Sequence, residues 1–351
     1  MNDIERQNER LHFIDNLRTW MVVLVVIQHI GVVCNTLYLL MILNSAYFMG
    51  LLFMLSGYFT PLSFEHKGPS IFLKDRLLRL GIPTIFYVFI LNPIASWALQ
   101  GAGSTPHKDT IFNFALGPMW FAVMLLVFDL CYLAWRMILK NKTEQKENNK
   151  IFQLSFGIIT PFTIILAFAS YLIRMILPYG LPFFGFPSPG YLFQYISFFL
   201  IGILAFRKDW FRSITGSSGI KGFIIAIASS ITLLPAALRL SANAEFIGYG
   251  KWQSAAFALW DSIFAVGISF ALITFFRRFL NKGKRLSQFL SRHSFAVYII
   301  HVPVIALLAL GLSSLELHPL VKIIILIAIG LPLCFGVAWL ICLIPFVKKI
   351  L

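Results

Sequence analysis

Charged side chains are scarce in this sequence. Asp, Glu, Lys and Arg make up 12% of its 351 residues, about half the share of a typical soluble domain, whereas 59% of the residues are hydrophobic. This balance excludes a soluble globular protein. Cysteine is scarce too. The four cysteines all lie in apolar segments and form no C-x-x-C pair. We therefore expect neither a disulfide framework nor a metal site.

Acidic residues are fewer than basic ones, 14 against 29, which gives a net charge of +15. This excess does not indicate nucleic acid binding, because the basic residues alternate between loops as membrane insertion requires. The longest polar stretch, Lys140–Lys150, is expected to be a solvated cytoplasmic linker. No internal repeat and no separate soluble domain are visible. The sequence predicts a single all-α transmembrane domain over residues 1–351, with the lipid bilayer as its partner.

Long apolar runs are the dominant feature of the chain. About ten of them can each cross roughly 30 Å of hydrocarbon, some tilted or short. The predicted spans lie near residues 18–40, 44–63, 80–99, 117–139, 152–174, 191–206, 222–241, 255–276, 294–312 and 320–347.

Basic residues fix the predicted orientation of these spans. One set of alternate loops contains 24 of the 29 Lys and Arg residues, and the other set contains the remaining five. Cytoplasmic loops carry this excess in membrane proteins. The sequence therefore predicts an even number of spans with both termini in the cytoplasm.

The first span carries the strongest candidate for chemistry. Arg18 stands at its polar edge and His29 lies eleven positions further, deep in the apolar run. Eleven residues are close to three helical turns, so both side chains project from one face, about 16 Å apart. Asp15 can pair with Arg18 at the entrance of the helix. An ionisable residue at this depth indicates function, and the alternative is a histidine satisfied by a neighbouring helix.

Two further arginines lie close to the membrane. Arg76 and Arg79 are three residues apart and share a helix face just before the third span. They are either positive-inside anchors or an anion site, since guanidinium groups bind phosphates bidentately. Ser56 and Gly57 lie in the second span, where small residues favour close helix packing and the hydroxyl can bond across the bundle.

The remaining candidates lie in the later spans. Trp120 opens the fourth span, either as an interfacial residue or in a supporting role near the site. Asp129 and Asp261 are intramembrane acids, and each is expected to have a partner inside the bundle or in water. Tyr298 and His301 lie in the ninth span, and His301 is a weaker candidate than His29 because no partner follows from its spacing.

Taken together, these motifs resemble the acyltransferase-3 family of integral membrane acyltransferases. Arg18 and His29 match its arginine, ten residues, histidine motif, and Arg76 with Arg79 matches its R-x-x-R motif. The stretches FMLSGYF, GPMWF and SFAVYIIH resemble further family blocks in the same order, from Ile14 to about Phe346. The block FLKDRLLRLGIP and the absence of an added extracytoplasmic domain look closest to the glucan biosynthesis protein C-like branch.

The resemblance implies an activity and a set of roles. It implies an O-acyltransferase of a bacterial or archaeal cell membrane. This enzyme would move an acyl group, commonly acetyl or in the glucan branch succinyl, from cytoplasmic acyl-CoA to a glycan hydroxyl. Acyl-CoA would be a substrate, with no tightly bound cofactor. His29 would be the general base, neutral because burial disfavours imidazolium, and Arg18, Arg76 and Arg79 would bind the donor phosphates. Asp15, Ser56, Trp120, Tyr298 and His301 would support the site.

Two other functions stay open on the residues alone. Intramembrane charges and many spans are also typical of a transporter or flippase of a polar lipid or glycan. Against this reading, neither an inverted repeat nor a pair of broken helices is apparent. The third alternative is an inactive scaffold that keeps the fold. Acyl-CoA turnover by the purified protein separates the enzyme from both.

Overall fold

The computed structural model describes residues 11–103, 115–139, 156–181, 186–239 and 245–350. Over these residues the chain is helical and contains no β-strand. The predicted fold class, an all-α polytopic membrane protein, is confirmed. The predicted linker Lys140–Lys150 lies outside the described residues.

The helices are numbered in chain order, and three short π-helical turns and three 3₁₀ turns join some of them. The α-helices are α1 His12–Val33, α2 Tyr38–Arg76, α3 Ile82–Phe86, α4 Asn92–Gly101, α5 Trp120–Ile138, α6 Phe156–Ile176, α7 Leu192–Arg207, α8 Trp210–Ser213, α9 Gly216–Arg239, α10 Trp252–Phe279, α11 Arg285–Gly311, α12 Pro319–Ile325, α13 Leu331–Cys342 and α14 Pro345–Ile350.

The described part of the chain has nine helical runs long and apolar enough to cross a membrane, against about ten predicted spans. The difference arises in the run Tyr38–Gly101, whose 64 residues would measure about 96 Å if straight, far more than a bilayer is thick. The run is broken at Gly68, whose φ of 69° and ψ of 170° are not helical. Glycine tolerates this conformation, and Pro69 then restarts the helix. The second and third predicted spans both fall in this run, because the loop expected between them is itself helical.

Each of the three π-helical turns precedes a proline. They cover Leu77–Gly81, Tyr87–Leu91 and Leu326–Gly330, and each ends two residues before a proline of the same run. A proline in a helix has no N–H to donate, and its ring clashes with the carbonyl group four residues earlier. Widening the preceding turn relieves this clash, so the helices continue through the membrane with a local bulge.

Helix α1 packs against α2, α10 and α11. Small residues let the surrounding helices approach closely. The backbone of Phe199 in α7 leaves no room for a Cβ at Gly57 of α2, and Gly202 of α7 is in the same position against the backbone of Met54. This is the packing that the Ser56-Gly57 pair predicts. It holds α7 against α2, beside the helix that carries His29.

Candidate active site

Two histidines from opposite ends of the chain meet inside the bundle. His29 lies on α1 and His301 on α11, each roughly 25 Å along its helix. The Nε2 atom of His301 is 3.3 Å from the Nδ1 atom of His29, and the two rings are nearly perpendicular, with centroids 4.7 Å apart. His301 is fully buried, whereas His29 keeps partial exposure. The partner that spacing could not assign to His301 is therefore His29.

The contacts of the two rings assign their protons. His301 Nδ1 lies 2.8 Å from the carbonyl oxygen of Tyr298, which only accepts, so this nitrogen carries the proton of the neutral ring. Its Nε2 is then an acceptor. His29 Nδ1 has two neighbours, that Nε2 and the carbonyl oxygen of Val25 at 2.9 Å, and both accept. His29 therefore carries its proton on Nδ1, which leaves the lone pair on Nε2.

His29 borders a small cavity of about 170 Å³ with a mixed polar and apolar wall. The wall is built from several helices, and its polar and aromatic members include Gln28, Ser45, Trp120, Tyr191, Tyr195 and Tyr298. The Oε1 atom of Gln28 is buried and has no hydrogen-bond partner among the described residues. A buried acceptor without a donor is costly, so this position favours a ligand that supplies a hydroxyl or amide proton.

Two of the predicted supporting residues shape this cavity. Trp120 is only 8% exposed and packs on the ring of Tyr195 with centroids 5.5 Å apart, so it faces the interior of the bundle. The hydroxyl group of Tyr298 donates to the carbonyl oxygen of Pro118, and this bond ties α11 to the start of α5. Ser56 does not border the cavity; its carbonyl oxygen accepts from the hydroxyl group of Thr60 at 3.0 Å.

Arg18 lies at the other end of the same face of α1. Its guanidinium group donates to Asp15 at 2.9 Å, the contact that their spacing predicts, and lies 5.4 Å from the ring centre of Phe59 in α2. Its side chain remains 44% exposed. Arg18 therefore presents a positive charge at the end of α1 remote from His29.

Arg76 and Arg79 share a helix face but have different surroundings. Arg79 is 49% exposed, and its Nε is 3.0 Å from Asp75, which also binds Lys67 at 2.8 Å. The Nε of Arg76 is 3.0 Å from the carboxylate of Asp129, which is almost fully buried. That carboxylate also accepts from Thr60 at 2.8 Å. Arg76 is therefore the partner that intramembrane Asp129 requires, whereas Arg79 is the more accessible of the two arginines.

A second buried ion pair lies behind the cavity wall. Arg174 of α6 binds Asp261 of α10, and both side chains are buried. The guanidinium group of Arg174 lies 4.8 Å from the ring centre of Tyr191, a residue of the cavity wall. Arg174 lies in the last turn of α6, where the predicted fifth span ends. The sequence carried a signal for this ion pair: an arginine at the end of an apolar run, and an intramembrane acid, Asp261, for which spacing assigned no partner.

Within the described residues, no three His, Cys, Asp or Glu side chains come together as a metal site. The polar groups at the cavity are imidazole, amide, hydroxyl and indole groups. This set suits proton transfer to or from a hydroxyl and hydrogen bonding to a polar ligand.

Comparisons with known proteins identify the family of the chain. The sequence model of a family described as "Acyltransferase domain" matches residues 11–342. The glucans biosynthesis protein C of Escherichia coli O1:K1 / APEC is 23% identical over 338 residues, which cover 86% of this chain and 83% of that protein. The protein of the same name from Escherichia coli K12 / DH10B is 22% identical over the same shares. No solved structure matches the chain significantly.

Proposed function

This chain belongs to the acyltransferase family matched over residues 11–342 and is an integral membrane acyltransferase, and from that premise we propose that it is an O-acyltransferase using acyl-CoA and a glycan. The acyl group is acetyl or succinyl, and the acceptor is a hydroxyl group of an envelope or exported glycan. The observation that carries the proposal is the His29–His301 contact at the edge of the small cavity.

His29 acts as the general base. Its Nδ1–H is held by the Val25 carbonyl oxygen and by His301, so Nε2 is free to take the proton of an acceptor hydroxyl in the cavity. The oxygen then attacks the thioester carbonyl carbon, the new C–O bond forms and the C–S bond breaks. The proton on His29 passes to the leaving thiolate, which completes the transfer with every proton accounted for.

The acceptor subsite is the cavity beside His29. Sugars present both hydroxyl groups and apolar ring faces, and a wall of Trp120, Tyr191 and Tyr195 with the amide of Gln28 offers partners for both. The name of the Escherichia coli relatives refers to glucans, which agrees with a glycan acceptor. The cavity is small, so only the reacting end of a glycan fits into it.

The donor phosphates bind near the exposed arginines at the cytoplasmic side. Arg18 and Arg79 each keep nearly half of the side chain exposed, and Arg76 lies one turn from Arg79 on the same face. Arg18 lies about 16 Å from His29 along α1. A donor whose phosphates bind Arg18 therefore has to extend its thioester along α1 to reach the base.

The test is a transfer assay with purified protein in lipid nanodiscs. Acetyl-CoA and succinyl-CoA are supplied separately with a glycan fraction from the envelope of the source cell. Free thiol and the mass of the glycan are then measured. We expect thiol release that depends on the glycan, together with an acylated glycan. Thiol release without acylated glycan would remove the glycan from the proposal, and no thiol release with either donor would remove acyl-CoA.

A further inference from the structure

A large cavity lies away from the histidines, on the outer side of the bundle. It is a groove of about 860 Å³ between the first half of α9 and the last turns of α10. Its apolar lining includes Gly216, Ile220, Phe223, Leu272, Phe275 and Phe279. None of its residues borders the cavity of His29. The groove therefore needs an explanation separate from the catalytic site.

The groove lies on the outer surface of the protein. Ile220 and Phe279 are exposed by 59% and 61%, and Phe223 and Phe275 by 50% each. At its floor the helices touch, because a Cβ at Gly219 would collide with the side chain of Thr274. The groove is thus a surface channel on a membrane-spanning helix pair. In a bilayer, an acyl chain is the apolar group that such a channel meets.

Two arginines at the groove have distinct surroundings. The guanidinium group of Arg277 donates to the carbonyl oxygens of Phe211 and Arg212 at 2.9 and 2.6 Å and to that of Ile214, so its donors are committed to the backbone. Arg278 is exposed and lies 5.4 Å from the ring centre of Phe279. It forms no ion pair with any described carboxylate. One positive charge is therefore available at this end of the groove.

The position of this positive charge indicates which kind of ligand the groove binds. The segments beside it, residues 207–221 and 277–293, contain ten of the basic residues that predict the cytoplasmic side. The cytoplasmic leaflet carries the anionic lipids of a membrane, and their phosphates are attracted to basic residues at headgroup height. The groove also begins at Gly216, the amino end of α9, where the helix dipole is positive.

We propose that the α9–α10 groove binds one anionic phospholipid of the cytoplasmic leaflet. An acyl chain lies along Ile220, Phe223 and Phe275, and the phosphate binds Arg278. Lipids with a neutral headgroup fill the same channel more weakly, because they gain only the apolar contact. This assignment is independent of the acyl-transfer proposal, since it involves no residue of the histidine cavity.

The test uses the full-length protein in detergent and native mass spectrometry with two lipids, palmitoyl-oleoyl phosphatidylglycerol and palmitoyl-oleoyl phosphatidylcholine. We expect the wild-type protein to retain phosphatidylglycerol preferentially. Arg278→Gln should weaken phosphatidylglycerol binding about fivefold, the factor that corresponds to about 1 kcal/mol per basic residue near a membrane surface. Arg278→Lys should largely restore it, and phosphatidylcholine binding should not change.

A second variant tests the apolar part of the groove. Nothing lies within 4 Å of a Cβ placed on Gly216, so Gly216→Leu adds an apolar side chain to the groove lining at an open position and should weaken both lipids. Gly336→Leu is the matched control, because that site is equally open but lies on α13. Arg285→Gln is the control for charge, since Arg285 is exposed and does not line the groove.

Four outcomes would overturn the proposal. Three of them are the absence of a preference for phosphatidylglycerol, the same loss in Arg285→Gln as in Arg278→Gln, and unchanged lipid binding in Gly216→Leu. A fourth is displacement of phosphatidylglycerol by palmitoyl-CoA at equal concentration in the wild-type protein but not in Arg278→Gln. That result would assign the groove to an acyl-CoA, which has the same combination of phosphate and acyl chain.

Discussion

His29 and His301 are 272 positions apart in the chain, and their ring nitrogens lie 3.3 Å apart in the folded protein. Because His301 Nδ1 donates to a backbone carbonyl oxygen, its Nε2 can only accept in the neutral ring. This orientation fixes the tautomer of His29 and leaves its second nitrogen available as a base. In the proposed mechanism the two histidines have different roles: His29 reacts and His301 positions it.

The first prediction concerns the base. His29→Ala should lower acyl transfer by about 10²–10⁴-fold, because the group that accepts the hydroxyl proton is removed. The measurement is the initial rate of thiol release in nanodiscs with saturating donor and acceptor. His66→Ala, a change at an exposed histidine in the cytoplasmic half of the long helical run, is the control and should keep the wild-type rate. Near wild-type turnover in folded His29→Ala would exclude His29 as the base.

The second prediction concerns the positioning histidine. His301→Leu removes one of the two acceptors of the Nδ1 proton of His29 and leaves only the Val25 carbonyl oxygen, so the rate constant kcat should fall at least about tenfold. The loss should stay below about 10⁴-fold, the effect of removing the tautomer-fixing partner in a catalytic triad. His301→Gln keeps an acceptor oxygen and should recover part of kcat with an unchanged donor Michaelis constant. Equal activity of the Leu and Gln variants would contradict the positioning role.

The third prediction concerns the donor site. Arg79→Lys keeps the charge but loses the planar fork, so it should raise the apparent Michaelis constant for acyl-CoA with little change in expression. An anchor that needs only charge would accept lysine equally well. The control is Arg285→Lys, a change at an exposed arginine of α11. Unchanged donor kinetics in both Arg76→Lys and Arg79→Lys would favour anchoring and leave the donor site unassigned.

The fourth prediction concerns the buried ion pair behind the cavity. Arg174→Met leaves Asp261 buried without its partner, which should destabilise the fold by about 3–5 kcal/mol. The double variant Arg174→Met, Asp261→Leu removes both charges and should recover most of the loss. Thermal unfolding in detergent measures the difference, with Arg239→Met, a change at an exposed arginine, as the control. A double variant as unstable as the single one would show that the charges are not the cause.

The fifth prediction concerns orientation in the membrane. Cysteines introduced at Lys108 and Lys146 should be labelled from opposite sides, because the alternation of basic residues assigns their loops to different sides. Both positions lie outside the described residues, so this prediction depends on the sequence alone. Labelling of both from one side would refute the number of spans between them.

The sequence by itself determined the features that are local or solvent-driven. Long apolar runs must be helices in a bilayer, because every backbone group has to be paired within its own segment, and this gave the all-α membrane class. Contacts three or four residues apart, such as Asp15 with Arg18, followed from helix geometry. Family motifs then identified an acyltransferase, because each motif keeps its residues within one short segment.

Tertiary structure alone decided which distant residues meet. Asp129 and Asp261 needed partners, yet nothing in their spacing named Arg76 or Arg174, because those partners come from other helices. The same limit applies to His301 and to the cavity wall of Tyr191 and Tyr195. Apolar helices of similar hydrophobicity can pack in many orders, and hydropathy does not distinguish them. The close approaches at Gly57 and Gly202 fix how α2 and α7 pack, a choice made by shape and not by hydropathy.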